Sequence, residues 1–194
     1  LCNRIPSIVT NQRERHYEQL YGSSIAGSTI VIVGTGGLGG ATAKMLEPHG
    51  PYIIGVNRQG QPVDGCNKVV TVDKLDEVLP LADILYLALP VTPETRELIN
   101  QQRLNLLKPS CGIVNIGRQS AADYKAICEM LKKRKLSGAV LDVFTPEPIA
   151  SDSYLWDVPN LIITPHVLAD DAEKYIPTTL DLFMRNLENF ILER

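Results

Sequence analysis

The sequence predicts a doubly wound α/β fold, in which helices cover both faces of a parallel sheet. Short runs rich in Val, Ile and Leu alternate with helical patterns along the 194 residues, as in chains of βαβ units. The runs are nearly continuous in apolar residues, which is typical of strands buried on both faces. A glycine-rich turn joins the first run to a helical pattern. The length fits one domain with its own core.

The predicted elements follow one another in a regular order. The first strand covers 29–33, and the body of the helix after it covers 41–46. A helix over 121–133 ends in basic residues, which suit the negative end of its dipole. Two further helices, over about 7–20 and over 171–192, bracket the set and have no obvious strand to pair with. The remaining predicted strands are 52–56, 69–72, 84–89, 112–116, 139–143 and 161–164.

Charge and hydropathy narrow the possible partners. The 19 basic and 22 acidic side chains give a formal net charge of −3, without the broad cationic surface that nucleic-acid backbones select. The basic run at 132–135 is interpreted as the solvated end of a helix rather than as a nucleic-acid patch. The apolar runs fall far short of the roughly 18 residues that span a bilayer. We therefore expect neither a nucleic-acid partner nor a membrane segment.

The cysteines and the first residues of the chain indicate the cellular compartment of the protein. Cys2, Cys66, Cys111 and Cys128 are widely spaced, with no Cys-x-x-Cys pair, so neither a zinc site nor a redox dithiol is indicated. We expect reduced thiols and a cytoplasmic protein without a metal. The chain opens without an initiator Met or a secretory signal, and we expect it to be a fragment.

The glycine-rich turn has the G-x-G-x-x-G spacing and lies between a strand and a helix, the context that this motif requires. Gly34 allows a tight turn, Gly36 allows a pyrophosphate to approach the backbone, and Gly39 allows close helix packing. The N-terminus of the helix supplies N–H groups and positive potential for phosphates. The alternative is a purely structural glycine-rich turn, which this context disfavours.

The end of the second strand bears on which dinucleotide binds. An NAD-binding site usually has Asp or Glu there, to accept the ribose hydroxyls. This chain has Asn57 followed by Arg58, which removes a charge that would repel a 2′-phosphate and adds a cationic donor for it. NADP is therefore favoured as the cofactor, with NAD possible. The alternative is that Arg58 is an ordinary solvated loop residue.

Three further polar residues lie at or just beyond predicted strand ends, where ligands collect in such sheets. They are Arg118, Glu147 and His166. A histidine beside a carboxylate can act as a general acid and base, and an arginine can hold a carboxylate and polarise a carbonyl. Each could instead be an ordinary loop residue, which is the interpretation given to His16 and His49.

Several motifs in order make the chain resemble the cofactor-binding domain of the D-isomer-specific 2-hydroxyacid dehydrogenase family, over about 28–189. The resemblance rests on the glycine fingerprint and on the segments 89–95, 115–118, 141–148, 155–156, 159–161 and 164–166. It implies that Arg118, Glu147 and His166 are the catalytic trio. It also implies that Asp142 lies near the nicotinamide amide. The predicted cofactor-site residues are Gly34, Gly36, Gly37, Leu38, Gly39, Asn57, Arg58, Pro90, Thr92, Ile116 and Asp142.

The resemblance also implies a reaction and an assembly. Hydride passes between the cofactor and C2 of a 2-oxo or D-2-hydroxy acid, His166 supplies the proton, Glu147 orients His166, and Arg118 fixes the carboxylate and carbonyl. The substrate domain of the family is built from sequence before and after the cofactor domain. Segments 1–20 and 171–194 are then the two crossovers of a cofactor domain that fills 1–194, and a homodimer through this domain is implied.

Two positions depart from the family pattern, and two other functions stay open. Gln119 stands where the family usually has Gly, and Leu168 replaces a residue that is usually small or polar. The second hypothesis is a non-catalytic dinucleotide-sensing module, as in the corepressor branch of the same superfamily. Turnover by the full-length protein would separate it from the enzyme. A third, an S-adenosylmethionine-dependent enzyme on a similar fold, would leave the trio unused.

Overall fold

The predicted doubly wound α/β fold is confirmed in a computed structural model, which describes residues 1–168 and 173–192. The described residues form one seven-stranded sheet with the order β3-β2-β1-β4-β5-β6-β7, and every neighbouring pair of strands is parallel. The strands are β1 Thr29–Val33, β2 Tyr52–Asn57, β3 Lys68–Thr71, β4 Ile84–Leu87, β5 Gly112–Asn115, β6 Gly138–Leu141 and β7 Leu161–Ile163. The helices are α1 Ile5–Arg13, α2 Gly37–Leu46, α3 Leu75–Val78, α4 Gln101–Leu104, α5 Tyr124–Lys132 and α6 Tyr175–Leu192.

The sheet separates two apolar layers, because alternate side chains of a strand point to opposite faces. On β1, Val31 and Val33 belong to a large buried cluster, while Ile30 and Ile32 belong to a smaller one that includes Ala43 of α2. The face of the sheet that carries Ile30 and Ile32 is only partly covered, whereas the sequence predicted strands that are buried on both faces. The half-buried strand residues on that face are Ile84, Tyr86, Val114, Val140 and Ile162.

The first helix is shorter than predicted, since α1 ends at Arg13 rather than near residue 20. Arg15 adopts a left-handed conformation (φ 55°), and the N–H of His16 donates to the carbonyl of Asn11 at 2.8 Å. This is a helix-ending geometry that usually uses glycine. Because arginine occupies the position, the composition gave no sign of the end.

The helices at 121–133 and 171–192 begin later than predicted. The carboxylate of Asp123 accepts the N–H of Ala126 at 3.0 Å and caps α5, so the helix begins at Tyr124. Helix α6 begins at Tyr175, which places Pro177 in its first turn, where the missing N–H costs nothing. Residues 171–172 and 193–194 of the predicted crossover lie outside the described residues.

The predicted strands end one or two residues too late near the site. β4, β5, β6 and β7 end at Leu87, Asn115, Leu141 and Ile163, because their next residues leave the ladder to form the loops of the carboxyl edge. Cys111 and Cys128 are buried, and all four cysteines are free thiols. None of the described helices is long and apolar enough to cross a bilayer.

Candidate functional site

The glycine loop lies at the carboxyl end of β1, beside the point where the strand order changes direction between β1 and β4. Gly34 has φ +92°, and a Cβ there would meet the carbonyl oxygen of Ala88 at 2.7 Å. A Cβ on Gly39 would collide with the carbonyl oxygen of Gly34, so the helix packs directly on the turn. A Cβ on Gly36 would meet nothing within 4 Å. The loop is therefore tight towards the protein and open outward at the start of α2, which fits a pyrophosphate.

The outer members of this loop are exposed. Gly37 begins α2, and a Cβ there would also meet open space. Leu38 is about half exposed although it is apolar. The first turn of a helix has N–H groups without partners inside the helix. Gly36, Gly37 and Leu38 thus present backbone, rather than polar side chains, to the space above the sheet.

The loop after β2 contains the predicted dinucleotide-selecting pair. The amide of Asn57 donates to the hydroxyl of Thr35 in the glycine loop at 3.0 Å. The Asn57 carbonyl oxygen accepts the N–H groups of Gln59 and Gly60 at 3.1 and 2.6 Å. Arg58 is exposed. The structure therefore leaves the guanidinium of Arg58 accessible, while the amide of Asn57 serves the loops themselves.

The loop after β4 lies on the other side of β1 from Asn57 and Arg58. The hydroxyl of Thr95 donates to the Pro90 carbonyl at 2.7 Å and accepts the N–H of Thr92 at 2.9 Å, which fixes the turn. The pKa of the exposed Glu94 carboxyl is lowered, chiefly by a hydrogen bond from the Thr92 hydroxyl and to a smaller extent by the charge of Arg58. Because β2 and β4 flank β1, the loops that carry Arg58 and Thr92 lie on opposite sides of the glycine loop.

Asn115, at the end of β5, shapes the segment that presents Arg118. Its carbonyl oxygen accepts the N–H of Gly117 at 3.0 Å, and its amide donates to the carbonyl of Arg118 at 3.1 Å. A Cβ on Gly117 would meet backbone atoms of Leu89 at 2.6 Å, so the loop can approach the segment after β4 only with glycine there. The side chain of Ile116 is 7% exposed, and the guanidinium of Arg118 reaches the surface, where it donates to the Gly117 carbonyl at 2.7 Å.

Asp142 follows β6 and is 1% exposed. One of its oxygens accepts the hydroxyl of Thr164 at 2.6 Å and the N–H of Val167 at 3.0 Å. The other accepts the N–H of Leu168 at 3.1 Å. The carboxylate therefore binds residues that precede and follow His166 in the chain. This contact set indicates that Asp142 positions the loop after β7.

Glu147 and His166 are in direct contact. The Nδ1 of His166 lies 2.9 Å from one carboxylate oxygen of Glu147, and the other oxygen accepts the N–H of Phe144 at 2.6 Å. The hydrogen bond with His166 is the largest cause of a lowered pKa of Glu147, followed by the Phe144 N–H, with a smaller contribution from the charge of Arg118. The structure thus brings His166 and Glu147 into contact and places Arg118 near enough for its charge to act on Glu147. Because Nδ1 is engaged, Nε2 is the ring nitrogen left for proton exchange.

The backbone of His166 is left-handed, with φ 58°. This conformation is unfavourable for a residue with a Cβ, and such residues concentrate at functional sites. The Thr164, Val167 and Leu168 contacts of Asp142 hold the segment in that conformation.

Two residues of the site escaped the sequence reasoning. The amide of the fully buried Asn115 also donates to the hydroxyl of Tyr124 at 3.0 Å, and that hydroxyl donates to the carbonyl of Val143 at 3.0 Å. Burial raises the pKa of Tyr124. The Tyr124 ring packs edge-on against Phe144. One signal was available for Asn115, because it is the single polar residue of an apolar strand.

The described residues contain no metal cluster, and their large polar cavity lies away from this edge. Over 1–168 and 173–192, no cluster of three His, Cys, Asp or Glu side chains could hold a metal. A polar cavity of about 1040 Å³ lies at the amino edge of the sheet, and none of the predicted site residues lines it. His16 and His49, which the sequence reasoning set aside, are away from the trio and exposed.

Comparison with known proteins identifies the family. Residues 1–167 match the family model described as "D-isomer specific 2-hydroxyacid dehydrogenase, NAD binding domain". The chain is 36% identical over 162 residues to a Corynebacterium melassecola protein of uncharacterized function, covering 84% of this chain and 53% of that protein. It is 36% identical over 152 residues to the glyoxylate reductase of Pyrococcus furiosus, covering 78% of this chain and 45% of the reductase. The chain spans about half the length of these curated relatives.

A solved structure supports the same family. The NADPH-dependent glyoxylate/hydroxypyruvate reductase of Sinorhizobium meliloti, in complex with NADP and sulfate, superposes with a TM-score of 0.83 at 28% identity. The match covers 97% of this chain and 61% of the reductase.

Proposed function

The chain belongs to the D-isomer-specific 2-hydroxyacid dehydrogenase family, and from that premise we propose that it carries the cofactor site and catalytic trio of an NADP-preferring enzyme. The enzyme interconverts a 2-oxo acid and a D-2-hydroxy acid. The observation that carries the proposal is the 2.9 Å contact between His166 and Glu147 at the edge that also holds the glycine loop.

Each member of the trio has a role that its geometry supports. His166 uses Nε2 to give a proton to the oxygen at C2 of the substrate, since Glu147 holds Nδ1. Glu147 keeps the ring oriented through its contact with Nδ1. Arg118, exposed beside them, binds the substrate carboxylate and polarises the 2-oxo group. The bound cofactor supplies the hydride.

The cofactor assignment rests on the two loops that flank β1. The glycine loop is open where a pyrophosphate would lie, and Arg58 offers a guanidinium to a 2′-phosphate. No carboxylate stands at the end of β2, where an NAD site would have one. The similar Sinorhizobium meliloti reductase is described as NADPH-dependent. NADP is the favoured cofactor, and NAD can use the same pyrophosphate loop.

The proposal also assigns the segments that flank the sheet. Segments 1–20 and 171–194 are the crossovers to a substrate domain formed by sequence outside this chain. Apolar side chains of α6, including Ile176, Leu180 and Phe183, are more than half exposed, as expected if another domain covers them. The part of the similar proteins that this chain does not span is long enough for such a domain.

Assembly and location complete the proposal. Tyr17 and Tyr21 are 91% and 82% exposed, and Ile5 and Ile8 of α1 are also exposed. Apolar surface of this kind supports a homodimer through this domain. The four free thiols support a reducing, cytoplasmic setting. The proposal assigns no part to nucleic acid. Sedimentation of the isolated chain tests the dimer directly.

The test compares turnover with cofactor binding in the longer protein that contains this chain. We expect reduction of glyoxylate or hydroxypyruvate with NADPH, and we expect His166→Ala to lower the rate by about 10²- to 10⁴-fold while NADPH affinity is retained. His49→Ala is the matched control, since His49 is exposed and precedes β2 at the amino edge of the sheet. NADPH binding without turnover of either 2-oxo acid by the wild type would favour the dinucleotide-sensing module instead.

A further inference from the structure

The amide of Asn57 makes four hydrogen bonds and joins two loops of the carboxyl edge. Its nitrogen donates to the hydroxyl of Thr35 at 3.0 Å and to the carbonyl of Gln61 at 3.1 Å. Its oxygen accepts the N–H groups of Gln59 and Gly60 at 3.1 and 2.6 Å. A primary amide has two donor hydrogens and two acceptor lone pairs. All four are used inside the protein, so the amide has nothing left for a ligand.

These bonds fix the backbone on both sides of Arg58. The N–H groups of the next two residues are held by the Asn57 oxygen, as in an Asx turn. Gly60 closes the turn with φ +66°, and a Cβ there would meet Thr71 of β3 at 3.0 Å. The turn therefore lies close against the sheet. The side chain of Arg58 is exposed, and its starting point is set by its neighbour.

The bond to Thr35 adds a second constraint. Thr35 lies between Gly34 and Gly36 of the glycine loop, so the same amide ties the turn that carries Arg58 to the loop that would hold the pyrophosphate. A 2′-phosphate and a pyrophosphate belong to one ligand at a fixed separation. Binding the 2′-phosphate and the pyrophosphate at the same time therefore requires the two loops to keep a fixed separation as well.

We propose that Asn57 is a positioning residue for dinucleotide selectivity: its amide holds Arg58 at the distance from the glycine loop that a 2′-phosphate requires. This inference rests on the proposed function, in which Arg58 contacts that phosphate. Asn57 does not touch the cofactor through its amide. It acts through Arg58, so its effect on selectivity disappears when the guanidinium is absent.

A double-mutant cycle on this chain tests the proposal. The dissociation constants of NADPH and NADH are measured by fluorescence titration for the wild type, Asn57→Ala, Arg58→Ala and the double variant. The readout is the preference, the Kd of NADH divided by the Kd of NADPH, which cancels losses common to both cofactors. We expect Arg58→Ala to lower the preference about 10- to 100-fold and Asn57→Ala to lower it about 3- to 10-fold. The double variant should match Arg58→Ala alone.

Two further variants separate positioning from general support of the fold. Asn67 is the matched control, because its side chain accepts the N–H of Ile53 at 2.7 Å near the opposite end of β2. Asn67→Ala should lower the melting temperature and leave the preference unchanged. Asn57→Ser keeps an oxygen that can accept the N–H groups of the turn, although more weakly than an amide does. It should recover part of the preference and takes the place of Asn57→Ala in the cycle if the alanine variant does not fold.

The outcomes separate this inference from the proposed function. If Arg58→Ala lowers the preference but Asn57→Ala does not, the positioning role is wrong while the NADP assignment stands. The positioning role is equally wrong if Asn57→Ala lowers the preference as much without Arg58 as with it. An unchanged preference in Arg58→Ala would overturn the NADP assignment itself, together with the inference built on it.

Discussion

On the cofactor side of the carboxyl edge, the loop between β1 and α2 takes its shape from glycine backbone. On the proposed catalytic side, which carries Arg118, Glu147 and His166, buried polar side chains shape the loops after β5, β6 and β7. Gly34 and Gly39 allow contacts that any Cβ would block. Asn115 and Asp142, at 0% and 1% exposure, instead hold backbone groups that have left the ladder.

The difference follows from what each loop has to do. A phosphate is bound by N–H groups, so the cofactor loop has to bring its own backbone close to the ligand, and side chains would be in the way. The loops of the proposed trio present side chains such as Arg118 and His166, and buried polar groups hold their backbone from beneath. Substitutions that add a methyl group should therefore impair the glycine loop. Substitutions that remove a polar atom without a change of size should impair the loops after β5, β6 and β7.

Asp142→Asn tests the catalytic side most severely. The carboxylate accepts three hydrogen bonds from the loop around His166, and an amide can accept through only one atom while its NH₂ group opposes the donors. We expect a loss of about 2 to 4 kcal/mol in the free energy of unfolding, measured by urea denaturation. The exposed Asp152→Asn should stay within about 0.5 kcal/mol of the wild type. Similar losses in the two variants would contradict the anchoring role.

Gly39→Ala and Gly36→Ala separate the two functions of the glycine loop, which are helix packing and cofactor binding. A Cβ at position 39 would collide with the Gly34 carbonyl, and we expect a loss of about 1 to 3 kcal/mol in stability. The Cβ at position 36 has open space in the free protein but would occupy the space of the pyrophosphate. Gly36→Ala should therefore keep the wild-type melting temperature and weaken NADPH and NADH alike. The reverse pattern of losses would show that the loop is not built as the geometry indicates.

Tyr124→Phe removes one hydroxyl from beneath the catalytic side. The change leaves the buried amide of Asn115 without one acceptor and the carbonyl of Val143 without its donor. We expect a loss of about 1 to 2 kcal/mol in the free energy of unfolding. The half-exposed Tyr154 offers the matched control, and Tyr154→Phe should change stability by less than about 0.5 kcal/mol. Equal effects would mean that the hydroxyl network contributes nothing beyond ring burial.

The same difference explains what the sequence could predict. The glycine loop was found from its spacing and from its place between a strand and a helix, because Gly34, Gly36 and Gly39 are neighbours in the chain and each glycine has a local conformational reason. The seven strands were found because buried parallel strands are continuous apolar runs. The ends of β4 to β7 were predicted one or two residues too late, since a strand ends where its neighbour stops pairing.

The polar anchors of the catalytic side could not be found in this way. Tyr124 lies 19 residues from Val143, to which it donates, and nothing in the local pattern links the two. Asp142 was predicted to lie near the cofactor, and its three hydrogen bonds to the loop of His166 were not predicted. The contact between Glu147 and His166 depends on β6 and β7 being neighbours in the sheet, an order that the sequence analysis did not predict. The family resemblance implied only that Glu147 orients His166.

Glu147→Gln should have the smallest effect on stability, because Glu147 is a solvent-exposed member of the catalytic side. The hydrogen bond with His166 and the N–H of Phe144 lower the pKa of this carboxyl. A carboxyl whose pKa is lower in the folded protein stabilises the fold above its ordinary pKa, and this contribution is lost as the pH falls through the folded value. The wild type should therefore exceed Glu147→Gln in unfolding free energy at neutral pH, by no more than about 1 kcal/mol because water screens the group. Urea midpoints measured from pH 7 to pH 3 should show this difference shrinking towards zero. A difference that grows on acidification would mean that Glu147 is held in its protonated form, and then it could not orient His166 as a carboxylate.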